Sequence, residues 1–262
     1  MEEIFQHFRP EEREFIDQVS GWRMEVEDRY APKLTDFLDP RQRFIVQSII
    51  GHQGDIEMAY FGAFDEAERR RILIYPSYFE PVEEDYQITV FHLRYPSKFV
   101  QLEHPDVLGA LLSLGLGREK FGDIRLDNST AQFAIASEVE DYMRANLTSI
   151  GKVKVYVEAL NSTEMLLPNE EVWTDEMMTV SSMRLDTVIA SVFNISRQKS
   201  AALINSGKVK VNFTIRENIS FELHELDLLS IRGFGRFMIR AIEGRTKKDK
   251  IRINIGRMER KT

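Results

Sequence analysis

From Arg184 to Phe237 the chain strings together an Arg-Leu-Asp start, an apolar helical face at Leu185, Val188, Ile189 and Val192, a second short helix led by Ser196 and Arg197, a stop at Gly207, and a Lys-Val-Lys-Val-Asn run. No other stretch constrains the fold as much. A serine hydroxyl caps the exposed N–H groups at a helix start, and glycine takes the left-handed backbone at a helix end at little steric cost, so Ser196 and Gly207 bound the second helix. The strand that follows alternates, placing Lys208, Lys210 and Asn212 on one face and Val209 and Val211 on the other. Further strands are expected at Leu228 to Arg232, Phe237 to Ile242 and Ile251 to Ile255.

Charge changes sign where this segment begins. From residue 184 onward there are 17 Lys plus Arg against 8 Asp plus Glu, net +9, while the first 183 residues carry 18 against 34, net −16. The total of −7 hides a basic third on an acidic body, an asymmetry that points to a polyanionic partner met at one end. Arg197 and Lys199 stand in the first turn of the second helix. The helix dipole is positive there and a cation costs about 0.3 to 1 kcal/mol, which an arriving phosphate would reverse.

Upstream, the first 60 or so residues read as helical. Pro10, Glu11 and Glu12 suit a helix start, and Phe15, Val19, Trp22 and Val26 form one apolar stripe. Asp39 and Pro40 repeat the signal before Phe44, Ile45, Ile49 and Ile50, with Gly51 and Gly54 ending the pattern; Ile56 to Phe64 leans toward a strand. Strands are then expected at Ile72 to Tyr75, Ile88 to Leu93, Ile124 to Leu126, Phe133 to Ala136 and Val153 to Val157, with helices at Pro105 to Leu114 and Glu138 to Leu147. That order resembles a ferredoxin-like sandwich, the architecture of RNA-recognition modules. The aromatic strand signature of those modules is missing, so Phe133 reads as core. Residues 161–182 read as a connector. The expected chain is α+β: a mainly helical module over residues 1–71, a ferredoxin-like domain over 72–165, and a basic domain over 180–262.

Taken as a set, Arg184-Leu185-Asp186, Ile195-Ser196-Arg197, Ser206-Gly207-Lys208-Val209-Lys210-Val211-Asn212 and Arg232-Gly233-Phe234-Gly235-Arg236-Phe237 closely resemble the RNA-binding domain named after ribosomal protein S-four, the alpha-L motif. With Leu116-Gly117-Arg118-Glu119-Lys120-Phe121-Gly122-Asp123-Ile124 in the central domain, essentially the whole chain resembles the bacterial YlmH family. The resemblance implies a noncatalytic, cytoplasmic RNA-binding protein associated with the ribosome and with a cell-division gene neighbourhood. Relatives with a similar domain bind large-subunit RNA and tRNA during rescue of stalled nascent chains. Charge pattern and resemblance together mark Arg184, Ser196, Arg197, Lys199, Lys208, Lys210, Asn212, Arg232 and Arg236 for RNA contact. The partners implied are structured ribosomal RNA or tRNA and the large ribosomal subunit, with cell-division proteins as further candidates and no cofactor. Two loops depart from the family pattern. Phe213 follows Asn212 where many such domains have Asn-Gly, and since a bulky residue disfavours positive φ, a longer turn is expected. Glu225-Leu226-Asp227 replaces the usual Pro-Gly-Asp.

Two readings of other classes stand beside this one. Arg125-Leu126-Asp127-Asn128-Ser129-Thr130 resembles the catalytic Arg-Leu-Asp segment of pseudouridine synthases, with Asp127 as nucleophile or base, but the Gly expected after Thr130 is absent and an Asp-Asn turn accounts for the segment. A cell-division adaptor with secondary RNA binding is the other. Zero cysteines exclude disulfides and thiolate metal sites, and His7, His52, His92, His104 and His224 have no metal-binding spacing, so no metal is expected. The Met-Glu-Glu-Ile-Phe start lacks signal-peptide features and Val107 to Gly117 is too short to span a bilayer, so no membrane insertion is expected. Gly115-Leu116-Gly117 lacks the third glycine of a dinucleotide fingerprint and reads as a helix stop. Glu83, Glu84 and Asp85 read as a solvated loop, and Arg69, Arg70 and Arg71 equally as an extended RNA path or a charged strand start.

Overall fold

The computed structural model describes residues 8–51, 54–127, 129–160, 165–169 and 172–258; the Met1–Phe5 start, His7, His52, Asn128, part of the connector and the Glu170–Glu171 pair lie outside the described residues. The chain forms two compact units, residues 1–169 and 170–262. Among the described residues no helix is long and apolar enough to cross a membrane.

In the first unit a short 3-10 turn at Pro10–Glu12 leads into helix α1, Arg13–Arg29. Helix α2, Pro40–Ile50, starts where Asp39 accepts the Gln42 amide at 2.9 Å. Glu12, read as an acidic residue serving the helix end, takes the Arg41 guanidinium on both carboxylate oxygens, at 2.8 and 2.9 Å. Burial alone would push that carboxyl up, but Arg41 and the Arg9 amide hold it below the usual range.

Both expected helices are present, yet they pack on a sheet that the sequence pattern supplied only in part. Strands β1 (Lys33–Leu38), β2 (Ile56–Phe61) and β3 (Arg70–Pro76) run in the order β1-β3-β2, antiparallel throughout. A register shift between Leu34 and Phe37 breaks the alternation of β1, which is why it carries no strand signature. The Ile72 to Tyr75 strand, expected to open the central sheet, is the middle strand of this one, so the first sheet extends past residue 71 to Pro76. Its unbroken apolar run follows from burial on both faces: Ile72 and Ile74 join Val19 and Ile45 under the helices, while Leu73 and Tyr75 meet Tyr86 on the other side.

The central domain contains β4 (Ile88–Arg94), α3 (His104–Ser113), β5 (Phe121–Leu126), β6 (Ala131–Ala136), α4 (Glu140–Asn146), a small hairpin of β7 (Ser149–Ile150) and β8 (Val153–Lys154), and β9 (Tyr156–Ala159). Gly115, at φ 80°, follows the end of α3 as the stop reading requires. The main sheet runs β5-β6-β4-β9 with every pair antiparallel, the ferredoxin-like arrangement. Phe91, Leu111, Phe133 and Met143 fill the core on one face, and the Phe133 ring lies 5.7 Å from Phe91, inside that core. The other face is covered too. Phe37 of β1 and Phe64 pack on Ala134 and Ala136, and a Cβ at Gly122 would stand 2.7 Å from the Phe37 ring. The face that RNA-recognition modules use to stack bases is thus occupied by the N-terminal domain.

The segment from Leu116 to Ile124 builds the joint between these two domains. Asp123 accepts the backbone amides of Glu68 and Arg69 at 2.8 and 2.9 Å, and Lys120 pairs with Asp36 and Glu138, both at 2.7 Å. Arg69 donates to the Phe37 and Phe121 carbonyls, and Arg71 to those of Thr35 and Gln87. Arg118 holds the Phe121 and Gly122 carbonyls, and burial first, then the neighbouring Arg69, pushes its pKa down to about 10. Of the basic cluster, Arg69 and Arg71 are therefore buried structural donors, which removes them from any RNA path.

The second unit begins with a strand inside the expected connector. Strand β10, Trp173–Val180, pairs residue for residue with β15, Ile251–Met258, from Trp173 opposite Met258 to Val180 opposite Ile251. Its Trp-Thr-Asp-Glu start is largely exposed, so it lacks the apolar run that marks a strand, and the unit starts upstream of residue 180. Helices α5 (Leu185–Val192) and α6 (Arg197–Asn205) follow, then β11 (Val209–Val211), β12 (Thr214–Ile215), β13 (Leu228–Ile231) and β14 (Gly235–Arg245). The sheet order is β10-β15-β14-β13-β11-β12, with α5 packing on one face through Leu185, Val188 and Val192.

Candidate nucleic-acid interface

Arg184, Arg197 and Lys199, at the helix pair, each lie against a partner. Asp186, in the first turn of α5, has a side chain only 5% exposed; one oxygen accepts Arg184 Nε at 3.1 Å and the other accepts Arg197 Nη2 at 2.5 Å. Burial would raise the Asp186 carboxyl, but Arg197 and then Arg184 hold it below the usual range. The guanidiniums themselves stay in solvent, with side chains 40% and 60% exposed. Arg184 is the N-cap of α5, and Ser196 caps α6 by accepting the Lys199 amide at 3.1 Å. Lys199 extends its ammonium to 5.5 Å from the Phe234 ring centre, and Phe234 packs on Phe193 at 5.2 Å. Phe234 can stand there because Gly233 and Gly235 flank it at φ 92° and 117°.

The picture of two uncompensated cations at the start of α6 is thus corrected for Arg197, whose first-turn charge is met by Asp186. What remains is a pair of exposed guanidiniums fixed from behind by one carboxylate, with N–H groups left over for phosphate oxygens. The Asp186 clamp and the Phe234 rest were not among the features expected from the sequence. The signal for the first was the acid two residues after Arg184, and for the second the aromatic between two glycines.

The nine residues marked for RNA contact do not form one patch. Arg184, Ser196, Arg197 and Lys199 belong to the helix side. Lys210 and Arg236 both pair with Ser230, so they share the sheet face opposite the helices. By the same alternation Lys208 and Arg232, joined by the Arg232 amide donating to the Lys208 carbonyl at 2.9 Å, face that way too. Asn212 stands apart from both groups. Its Nδ2 donates to Asp227 at 2.8 Å and its Oδ1 accepts the Leu228 amide at 2.9 Å, so its side chain is committed to the fold. Val211 pairs with Thr214, leaving Asn212 and Phe213 as a two-residue turn at φ 48° and 66°. The longer turn expected there does not form: the strand twist requires positive φ at both positions, and Phe213 adopts it. Asp227, fully buried, also accepts the His224 amide at 2.8 Å, so the one residue kept from Pro-Gly-Asp anchors its loop.

In the first unit Asp127 closes the β5–β6 connection. Its carboxylate accepts the Ser129 and Thr130 amides at 2.8 and 2.7 Å, and those bonds keep its pKa low. This is the turn role read from the sequence. Arg125 beside it is buried and donates to Asn169 and to the Asp65 carbonyl.

Residues 11–79 match the family described as "YlmH, N-terminal", residues 81–164 match "Putative RNA-binding domain in YlmH", and residues 183–229 match "S4 domain". The chain is 44% identical over 259 residues to "Ribosome-associated protein quality control protein P2" of Bacillus subtilis (strain 168), covering 99% of this chain and 100% of that protein. Among solved structures it is similar to "Cell division protein ylmH from Streptococcus pneumoniae", with a TM-score of 0.52 and 35% identity over 60% of this chain and 95% of that one.

Proposed function

We infer the function from one premise: the chain belongs to the YlmH family. It is a noncatalytic RNA-binding protein of the cytoplasm whose second unit holds structured ribosomal RNA or tRNA on the large ribosomal subunit. Its role is in ribosome-associated protein quality control, for which the Bacillus subtilis relative is named, and, by family resemblance, in rescue of stalled nascent chains. The observation that carries this reading is the Arg184–Asp186–Arg197 clamp, two exposed guanidiniums preorganised at adjacent helix starts in a segment of net charge +9. Preorganised guanidiniums meet phosphate without first paying ordering entropy. The acidic first unit adds shape or protein contacts.

The test is crosslinking of the intact protein in cells, sequencing of the bound RNA, and co-sedimentation with ribosomal particles. The reading expects ribosomal RNA or tRNA in the crosslinks, and their absence overturns it. A second reading, a cell-division adaptor with secondary RNA binding, draws on the similar Streptococcus pneumoniae structure being that of a cell division protein. Loss of co-sedimentation together with retained binding to division proteins would favour it.

A further inference from the structure

The second unit's sheet has a face that its helices leave uncovered. Side chains paired across strands point the same way, so burial of Val209, Leu229, Phe237 and Ile255 on the helix side sets the other side by register. Lys210, Ser230 and Arg236 form one row there, and Trp173 of β10 stands at the far edge. The Arg236 and Arg240 guanidinium carbons lie 6.0 and 5.6 Å from the Trp173 ring centre. Arg240 comes from the irregularity between Ile239 and Ala241, and it lies across Gly256, where a Cβ would stand 2.7 Å from its Nε. An acidic neighbour, Asp175, sits 3.4 Å from Arg240 and is itself 64% exposed. Trp173 and Arg240 fall outside residues 183–229, so strands flanking the matched S4 segment build this feature.

The Trp173 indole is half-buried, with both guanidiniums against its ring and the rest open to solvent at the edge strand. Here the surroundings are cationic, which disfavours an apolar protein partner and favours an anionic chain carrying flat rings. We propose that this face is a second RNA contact surface, separate from the helix-side clamp, that takes an unpaired nucleobase against Trp173 while Arg236 and Arg240 meet the adjoining phosphates and Lys210, four strands along the sheet, meets the strand as it continues. This rests on the RNA-binding reading of the protein. Base–aromatic stacking is tolerant of sequence because every base has a π face, so the surface selects single strands over duplexes.

The test uses the full chain with Trp22→Phe, which leaves Trp173 as its single tryptophan, since the chain has 2. The probe is an oligouridylate of about 12 nucleotides, within the usual span of single-strand sites. Saturable quenching of Trp173 fluorescence is expected. Trp173→Leu should weaken oligouridylate binding on the order of tenfold, Trp173→Phe should retain most of it, and both should unfold at the parent's midpoint. Arg197→Ala, titrated with fragmented ribosomal RNA, separates the two claims. If Trp173→Leu binds oligouridylate as the parent does, or no quenching occurs, while Arg197→Ala weakens ribosomal RNA binding, the second surface is overturned and the RNA reading stands. If the parent binds neither RNA, both fall.

Discussion

Replacing Arg184 and Arg197 by alanine, singly and together, tests the Asp186 clamp through the sign of a coupling energy. Either single variant leaves the Asp186 carboxylate, 5% exposed, with the other guanidinium still bonded to it. The side chains removed are 40% and 60% exposed, so each single change resembles loss of a surface ion pair and should lower stability by about 0.2 to 1 kcal/mol. The double variant leaves a buried carboxylate with neither cation. Its destabilisation should exceed the sum of the singles by about 1 to 3 kcal/mol, well beyond the roughly 0.5 kcal/mol scatter of independent sites. RNA affinity should fall by about 1 to 3 kcal/mol for each single variant, on the order of five- to a hundredfold, because each guanidinium presents its own N–H groups. Urea unfolding of all four proteins, with ribosomal RNA titrations on the same samples, reads both quantities. Additive stabilities would refute the clamp, and unchanged affinity in both singles would refute the site.

Arg69→Ala leaves the Phe37 and Phe121 carbonyls at the domain joint without their donor and should cost the first unit about 2 to 4 kcal/mol, while RNA affinity of the intact protein stays within twofold; a stability loss below about 1 kcal/mol would count against the joint. Residues 170–262 expressed alone should fold and bind RNA, with affinity falling on the order of tens- to a hundredfold between about 50 and 200 mM salt if about four phosphates are neutralised. Residues 181–262, lacking β10, should expose β15 as a bare edge and aggregate; equal solubility of the two fragments contradicts the strand's role. Glu12 titrates below its ordinary 4.5, so its contribution is complete above that value and is lost as pH falls through the lowered folded value; Glu12→Gln should flatten the acid limb of the stability curve, and an unaltered limb would show the Arg41 pair to be neutral. Asp127→Asn should leave pseudouridine in ribosomal RNA and tRNA unchanged, and disappearance of one site in both this variant and a deletion would revive the enzyme reading.

What the sequence determined by itself was local and periodic. Ser196 and Gly207 bounded α6, Asp39 and Pro40 started α2, and the alternation around Val209 and Val211 separated a basic face from a core face. These signals need only neighbouring residues, because caps, φ preferences and pleat act within a few positions. The charge break at residue 184 was likewise a property of composition. Tertiary structure decided whatever depended on partners distant in the chain. It assigned β3 to the first sheet, because Leu73 and Tyr75 found their second face across the joint. It turned Arg69 and Arg71 from exposed charges into carbonyl donors, since a charged side chain shows its fate only when its surroundings close over it. It drew Asn212 into the fold through Asp227, fifteen residues on, and divided the basic residues between opposite sides of one sheet. Sequence named the chemistry of the site, whereas long-range pairing decided which of its charges face solvent together.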